Sequence, residues 1–153
     1  MPKFVLDTNV YIASFRDAAK AAELKEFLAA FLSITYVSAV VVQELRAGAR
    51  SRAQLDALRD VVAPFEQRGR VLTPSYEAFV DVGRILAEMA AKEGLDIAGM
   101  KASFLNDLLL AASCRRAGAT LITNNARDFA RIARHLGGFG YLAPWPAVAG
   151  ARR

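Results

Sequence analysis

The 153-residue sequence contains one cysteine and one histidine. A lone Cys114 excludes an intramolecular disulfide, and its surroundings, "LLLAASCRRAG", suit a small core residue better than a nucleophile. His135, in "RIARHLGG", has no triad-like neighbours and is expected to act as a cation at a helix C-terminus. No glycine motif of the P-loop or dinucleotide type occurs. Long apolar runs are also missing: none reaches the roughly 18 residues that span a bilayer, and "MPKFVLD" lacks a signal-peptide pattern. These absences point to a soluble protein of a reducing cytoplasm, without export or membrane anchor.

Lysine is scarce, since 15 of the 20 cationic residues are arginine, and the net charge is +5 with a pI near 9.7. Arginine's planar fork suits bidentate phosphate contacts, so the bias favours a nucleic-acid or acidic-protein partner. Genomic base composition produces the same bias, and charge alone does not separate the two. With 54% hydrophobic and 23% charged residues, 10 Gly and 5 Pro, neither disorder nor a fibrous repeat is indicated. The length suits one domain, covering residues 1–153.

Strand-like and helix-like segments alternate along the chain. "KFVLD", "ITYVS", "RVLTP", "ATLIT" and "FGYLAP" read as short strands. "AAKAAELKEFLAAFLS", "AVVVQELRAGA", "SRAQLDALRDVVAPFEQ", "YEAFVDVGRILAEMAAKEG", residues 101–116 and "NNARDFARIARHLGG" read as helices. Ser51 and Ser75 are N-caps, Gly94 and Gly118 are C-terminal stops, "LDIAGM" is a loop, and Pro64 is expected to kink or end its helix. The alternation predicts an α/β fold with a mainly parallel sheet of about four to five strands flanked by helices. Ligands in such sheets bind beyond the carboxyl ends of the strands.

Four acids stand in places where a carboxylate is hard to accommodate. Asp7 ends the apolar strand of "FVLDTNVYI". Glu44, in "VVVQELRAG", has Val40, Val41, Ala47 and Gly48 as helical neighbours, and Asp107, in "FLNDLLLAAS", has Phe104, Leu110 and Ala111. Asp128, in "TLITNNARDF", falls just past the carboxyl end of another strand. Each has an ordinary explanation. Asp7 suits an N-cap, and Asn125 suits a cap with Asp128 at N3. Glu44 can reach solvent or pair with Arg46. Asp107 is less readily explained as a cap, because Ser103 upstream is better placed. If the strands of Asp7 and Asp128 are neighbours, however, all four acids converge. Gathered carboxylates raise one another's pKa unless cations neutralise them, and a hard divalent ion does so directly. Metal-dependent phosphodiester hydrolysis is the chemistry that follows.

The segments "FVLDTNVYI", "SAVVVQELRAGA" and "NDLLLAASCRRAGATLITNNARDF" together resemble the PIN domain, and within it the VapC-type ribonuclease toxins of toxin–antitoxin pairs. The likeness spans nearly the whole chain, and the last segment is its most specific part. It implies a single PIN-like α/β domain that cleaves RNA, transfer RNA among the substrates of the family, with Mg²⁺ or Mn²⁺ and activated water. By position it makes Asp7, Glu44 and Asp107 the catalytic metal-site acids. The fourth role falls in the family either on the residue occupied here by Asn125 or on the acid three residues later. Asp128 is assigned that role, and Asn125 a supporting one. Thr8, Asn9 and Thr123 are implied to support the ligands or position water. Arg46, Arg115, Arg116, Arg127, Arg131 and Arg134 are candidate phosphate contacts. The helix after Asp17 is apolar around most of its circumference and needs cover. The resemblance supplies a VapB-type antitoxin and a second copy in a homodimer. Two other readings differ in class. A phosphatase of the haloacid-dehalogenase type would need a second acid two residues after Asp7, where Asn9 stands, and a degenerate PIN domain would bind RNA or protein without cutting.

Overall fold

Among the described residues, every α-helix but the last begins or ends where a side chain or a glycine satisfies its terminal groups. The computed structural model describes residues 2–146. Strand β1 (Phe4–Leu6) runs into α1 (Thr8–Arg16), and Asp17 then caps α2 (Ala18–Phe31) by accepting from the Ala19 and Lys20 amides at 2.8 and 3.2 Å. After a short 3₁₀ turn comes β2 (Thr35–Ser38), whose last residue, Ser38, caps α3 (Ala39–Gly48). Ser51 and Gln54 form a reciprocal capping box on α4 (Arg52–Gln67). Strand β3 (Val71–Leu72) is followed by α5 (Tyr76–Glu93), capped by Ser75. Gly94 and Gly118, at φ 69° and 67°, end α5 and α6 (Ala102–Ala117) in a conformation that a side chain would strain. Strand β4 (Thr120–Ile122), α7 (Ala126–Ala133) and β5 (Gly140–Leu142) complete the described chain.

Two local expectations are corrected. Pro64 does not end α4, which continues to Gln67, and the Pro64 carbonyl accepts from the Arg68 guanidinium at 3.0 Å. Ser103 is not the cap of α6. That position belongs to Lys101, whose side chain makes no capping bond.

The five strands form one parallel sheet in the order β3-β2-β1-β4-β5. Chain order proceeds outward from β1 in both directions, so the topological switch lies beside the central strand. Leu6 is level with Ile122 across the β1–β4 pair, and the next residue on each strand, Asp7 and Thr123, projects from the same carboxyl edge. Helices cover both faces. Leu6, Tyr11, Leu108, Leu110, Leu121, Ile122 and Phe129 are fully buried, each large side chain contributing roughly 1.5–3 kcal/mol by leaving water. Cys114 is buried in this core, as its neighbours suggested, and burial raises its thiol pKa far above the ordinary range.

Candidate active site

The edge where β1 and β4 end collects the acids. Asp7 is the N-cap of α1 and 4% exposed, with both carboxylate oxygens engaged. Oδ1 accepts from the Thr8 amide and Oδ2 from the Thr123 hydroxyl, each at 2.8 Å. Thr123 Oγ1 in turn accepts from the Asn125 amide at 2.9 Å and from Asn9 Nδ2 at 3.4 Å, while Asn9 Oδ1 accepts from the Asn124 amide at 3.1 Å. This network joins residues more than 110 positions apart, and it exists because β1 and β4 are neighbours.

Glu44 is placed by α3, which begins at the end of β2, and it accepts from the Thr8 hydroxyl at 2.7 Å. It forms no ion pair with Arg46. Asp128, in the first turn of α7, accepts from Asn125 Nδ2 at 2.7 Å. Asn125 occupies the cap position without a side-chain capping bond, because its amide points to Asp128 instead.

Asp107 lies within α6, half-buried, with no hydrogen-bond or ion-pair partner among the described residues. Its pKa is raised to about 7, first by desolvation and then by the charges of Asp7, Glu44 and Asp128. Burial also raises Asp7, against the lowering effect of the Thr123 and Thr8 hydrogen bonds. Among the described residues, no lysine, arginine or histidine forms an ion pair with any of the four acids. The cluster therefore holds negative charge that the protein's own cations leave unneutralised.

This donor set fits a hard divalent ion. It offers carboxylate oxygens only, with no thiolate or imidazole. No three acidic, histidine or cysteine side chains among the described residues are grouped to hold an ion by themselves. A Mg²⁺-like ion suits that arrangement, since it takes one or two carboxylates and completes its shell with water and phosphate oxygens.

The model of the PIN domain matches residues 4–135. The tRNA(fMet)-specific endonuclease VapC of Shigella flexneri is 30% identical over 132 residues, covering 86% of this chain and 93% of that protein. The protein of the same name from Salmonella typhimurium has the same identity and coverage. The chain belongs to the PIN-domain family, in its VapC-type branch. Among solved structures, the DNA-bound VapBC of Salmonella typhimurium aligns with a TM-score of 0.68 at 30% identity, covering 94% of this chain and 98% of that one.

In this PIN domain the arginines picked out by sequence separate into distinct groups. Arg116 is bound through Nε and Nη2 to the buried Asp81 at 2.7 and 2.8 Å, and Arg115 donates to the Gly137 carbonyl at 3.1 Å. They lie eight and nine residues beyond Asp107 on α6, roughly 12–13 Å along the helix, near the start of β4. Both are tied to the fold's own groups and stand away from the acid edge, which disfavours them as phosphate contacts there. Arg131 and Arg134 pair with Glu93. Arg46 and Arg127 are exposed without ion pairs among the described residues.

His135 is also recast. It lies just past α7, and its ring nitrogens face two carboxylates of α5, Glu88 at 3.2 Å and Glu93 at 2.9 Å. Arg16 was missed by the sequence reading. It is exposed, and it lines the same cleft as Glu44, together with Phe15 and Gln54. Only its location on the helix that follows Asp7 hinted at this.

Proposed function

We propose that this PIN domain is a divalent-metal-dependent endoribonuclease, the toxin of a VapBC-type toxin–antitoxin module. The observation that carries the reading is Asp107, a carboxyl in a helix interior with no partner among the described residues, its pKa raised to about 7 first by burial and then by three other acids. Such a cluster is unfavourable without a cation and effective with one. Asp7, Glu44, Asp107 and Asp128 would hold Mg²⁺ or Mn²⁺, with Asn125 in support. A bound ion of this kind supplies water activation and charge stabilisation at the scissile phosphate.

The chain's own groups set up that chemistry. Thr123 and the Thr8 amide fix the Asp7 carboxylate, so it needs no reorganisation when charge develops nearby. Thr8 orients Glu44, and Asn125 orients Asp128. Asn9 braces the turn after β4 through the Asn124 amide. Arg46, Arg127 and Arg16 are free to meet phosphates. The position that a haloacid-dehalogenase phosphatase needs as an acid is occupied by this structural Asn9, which disfavours that reading.

The surface supports two protein partners. An apolar groove of about 500 Å³ runs between α1, α2 and α4, walled by Phe15, Leu24, Leu28, Leu32, Val61 and Pro64. Phe15 is shared with the cleft that reaches Glu44, so a VapB-type antitoxin lying in the groove would approach the acids. The outer face of α5 exposes Tyr76, Phe79 and Val80 one helical turn apart, and we assign it to a second copy in a homodimer. No helix of the described residues is long and apolar enough to cross a membrane, and we place the protein in the cytoplasm. Residues 1–153 are read as one domain, since β5 lies beyond the family match yet pairs with β4. Met1 and residues 147–153 lie outside the described chain.

The test is cleavage of RNA by purified, antitoxin-free protein with Mg²⁺, Mn²⁺ or EDTA, with tRNA(fMet) as the first substrate because of the relatives' names. Cleavage requires metal and falls at least ~100-fold in Asp7→Asn and Asp107→Asn. No metal-dependent cleavage of any RNA by the wild type sinks the nuclease reading.

A further inference from the structure

Next to the acid cluster is a second cavity, of about 260 Å³, with walls of a different chemistry. Leu95 and Met100 from the α5–α6 connection, Lys101 and Phe104 from the start of α6, and Asp128 and Arg131 from α7 line it. We propose that this pocket is a nucleotide subsite for the RNA substrate, in which one base packs against the Arg131–Phe104 pair while Lys101 holds an adjoining phosphate. The proposal rests on the RNA-cleaving reading and specifies where a nucleotide beside the cut bond is held.

Position is the first argument. Asp128 is a wall of the pocket, accepts from Asn125 in the turn after β4, and is one of the three acids whose charge is felt at Asp107, so the cavity borders the acid edge. Size is the second. The volume falls just below the roughly 300–1,000 Å³ of pockets for drug-sized ligands, which suits one planar ring with its attachments.

The Arg131 guanidinium lies over the Phe104 ring at 5.2 Å and is held there by Glu93, at 3.1 Å from Nε and 3.0 Å from Nη2. Glu93 is itself bound by His135 at 2.9 Å and approached by Arg134 at 3.8 Å. The guanidinium plane is thus fixed before any ligand arrives, and its counter-charge is already shared. Arginine planes and aromatic rings are the surfaces on which unstacked RNA bases settle, and apolar side chains such as Leu95 and Met100 complete such a slot. Lys101 is exposed and without an ion-pair partner among the described residues, which leaves its ammonium available to a phosphate.

The experiment measures binding rather than cleavage. In an Asp107→Asn background, anisotropy of a labelled single-stranded RNA of randomised sequence is compared with that of an abasic ribose-phosphate strand of equal length. Arg131→Lys keeps the charge and its pairing to Glu93 but removes the plane. It is expected to weaken RNA binding roughly 5- to 150-fold, the range for one lost base stack, and to leave the abasic strand unaffected. Met100→Ala acts in the same direction and, lying in the connection before α6, keeps the test readable if Arg131→Lys folds poorly. Lys101→Ala weakens both strands and lowers the salt slope by about 0.7.

Equal RNA binding by the Asp107→Asn parent and by its Arg131→Lys and Met100→Ala derivatives overturns the subsite, as does no RNA binding by that parent. A protein segment filling the pocket in place of RNA produces the first of these results. Cleavage by the wild type separates the two readings. Cleavage with unchanged binding in the variants keeps the nuclease and removes the subsite, and base-dependent binding without cleavage does the reverse.

Discussion

Asp107 owes its behaviour first to burial and then to the acids around it. A carboxyl whose folded pKa, about 7, lies above its ordinary 3.8 favours the folded state when protonated. Its contribution is complete below pH 3.8 and disappears as pH rises through 7. The interval limits the effect to about 4 kcal/mol, at 1.36 kcal/mol for each pH unit. Metal-free protein is therefore expected to resist urea better at pH 5 than at pH 8, and Asp107→Asn removes most of that difference while abolishing cleavage. Saturating Mg²⁺ should also flatten the profile, because the ion favours the ionised form. Equal pH dependence in wild type and Asp107→Asn, measured by urea unfolding in EDTA, would contradict the crowded-acid account.

At the scale of elements, α6 carries the candidate ligand Asp107 in its first half and a structural ion pair in its last turn. Its last turn is tied to α5 by the two-bond contact of Arg116 with Asp81, whose carboxyl is held below its usual pKa mainly by that hydrogen bond. The stabilisation is present above about pH 3.8 and is lost only as pH falls through the lower folded value. Arg116→Ala leaves Asp81 buried without its partner and is expected to cost about 2 kcal/mol, read as a lower melting temperature at pH 7. RNA affinity should hardly change. A variant that melts like the wild type but binds RNA several-fold more weakly would return Arg116 to the set of phosphate contacts.

For the whole molecule, two apolar surface regions stand out among the described residues, the groove beside α2 and the outer face of α5, apart from separately exposed side chains such as Ile97 and Leu142. The first matches the expectation that α2 needs cover. Phe27 enters the core, whereas Leu24, Leu28 and Ala29 line the groove. The second was not foreseen on α5. Phe79, 57% exposed, stands between Tyr76 at 79% and Val80 at 52%, so its replacement by glutamate should cost the monomer little and put a charge in the contact. Phe79→Glu is expected to convert a dimer to monomer in light scattering, with cleavage chemistry retained on a small RNA. A dimer that survives the change moves the interface elsewhere.

The sequence by itself determined the local elements and singled out the candidate acids. Caps at Ser51 and Ser75, glycine stops at Gly94 and Gly118 and the strand–helix alternation all depend on residues a few positions apart, and a helix interior marks Asp107 as anomalous without any knowledge of the fold. Where local chemistry is ambiguous it did not decide the outcome: α4 continues past Pro64 to Gln67 with Val62 and Phe65 buried beside it, and Lys101 rather than Ser103 precedes α6. Only the tertiary structure decided that β1 and β4 are neighbours, which brings Thr123 to Asp7, and only it separated Arg116, bound to Asp81, from Arg131, fixed over Phe104. Strand order and the partners of long side chains are set by contacts across dozens to more than a hundred residues, and no local periodicity encodes them.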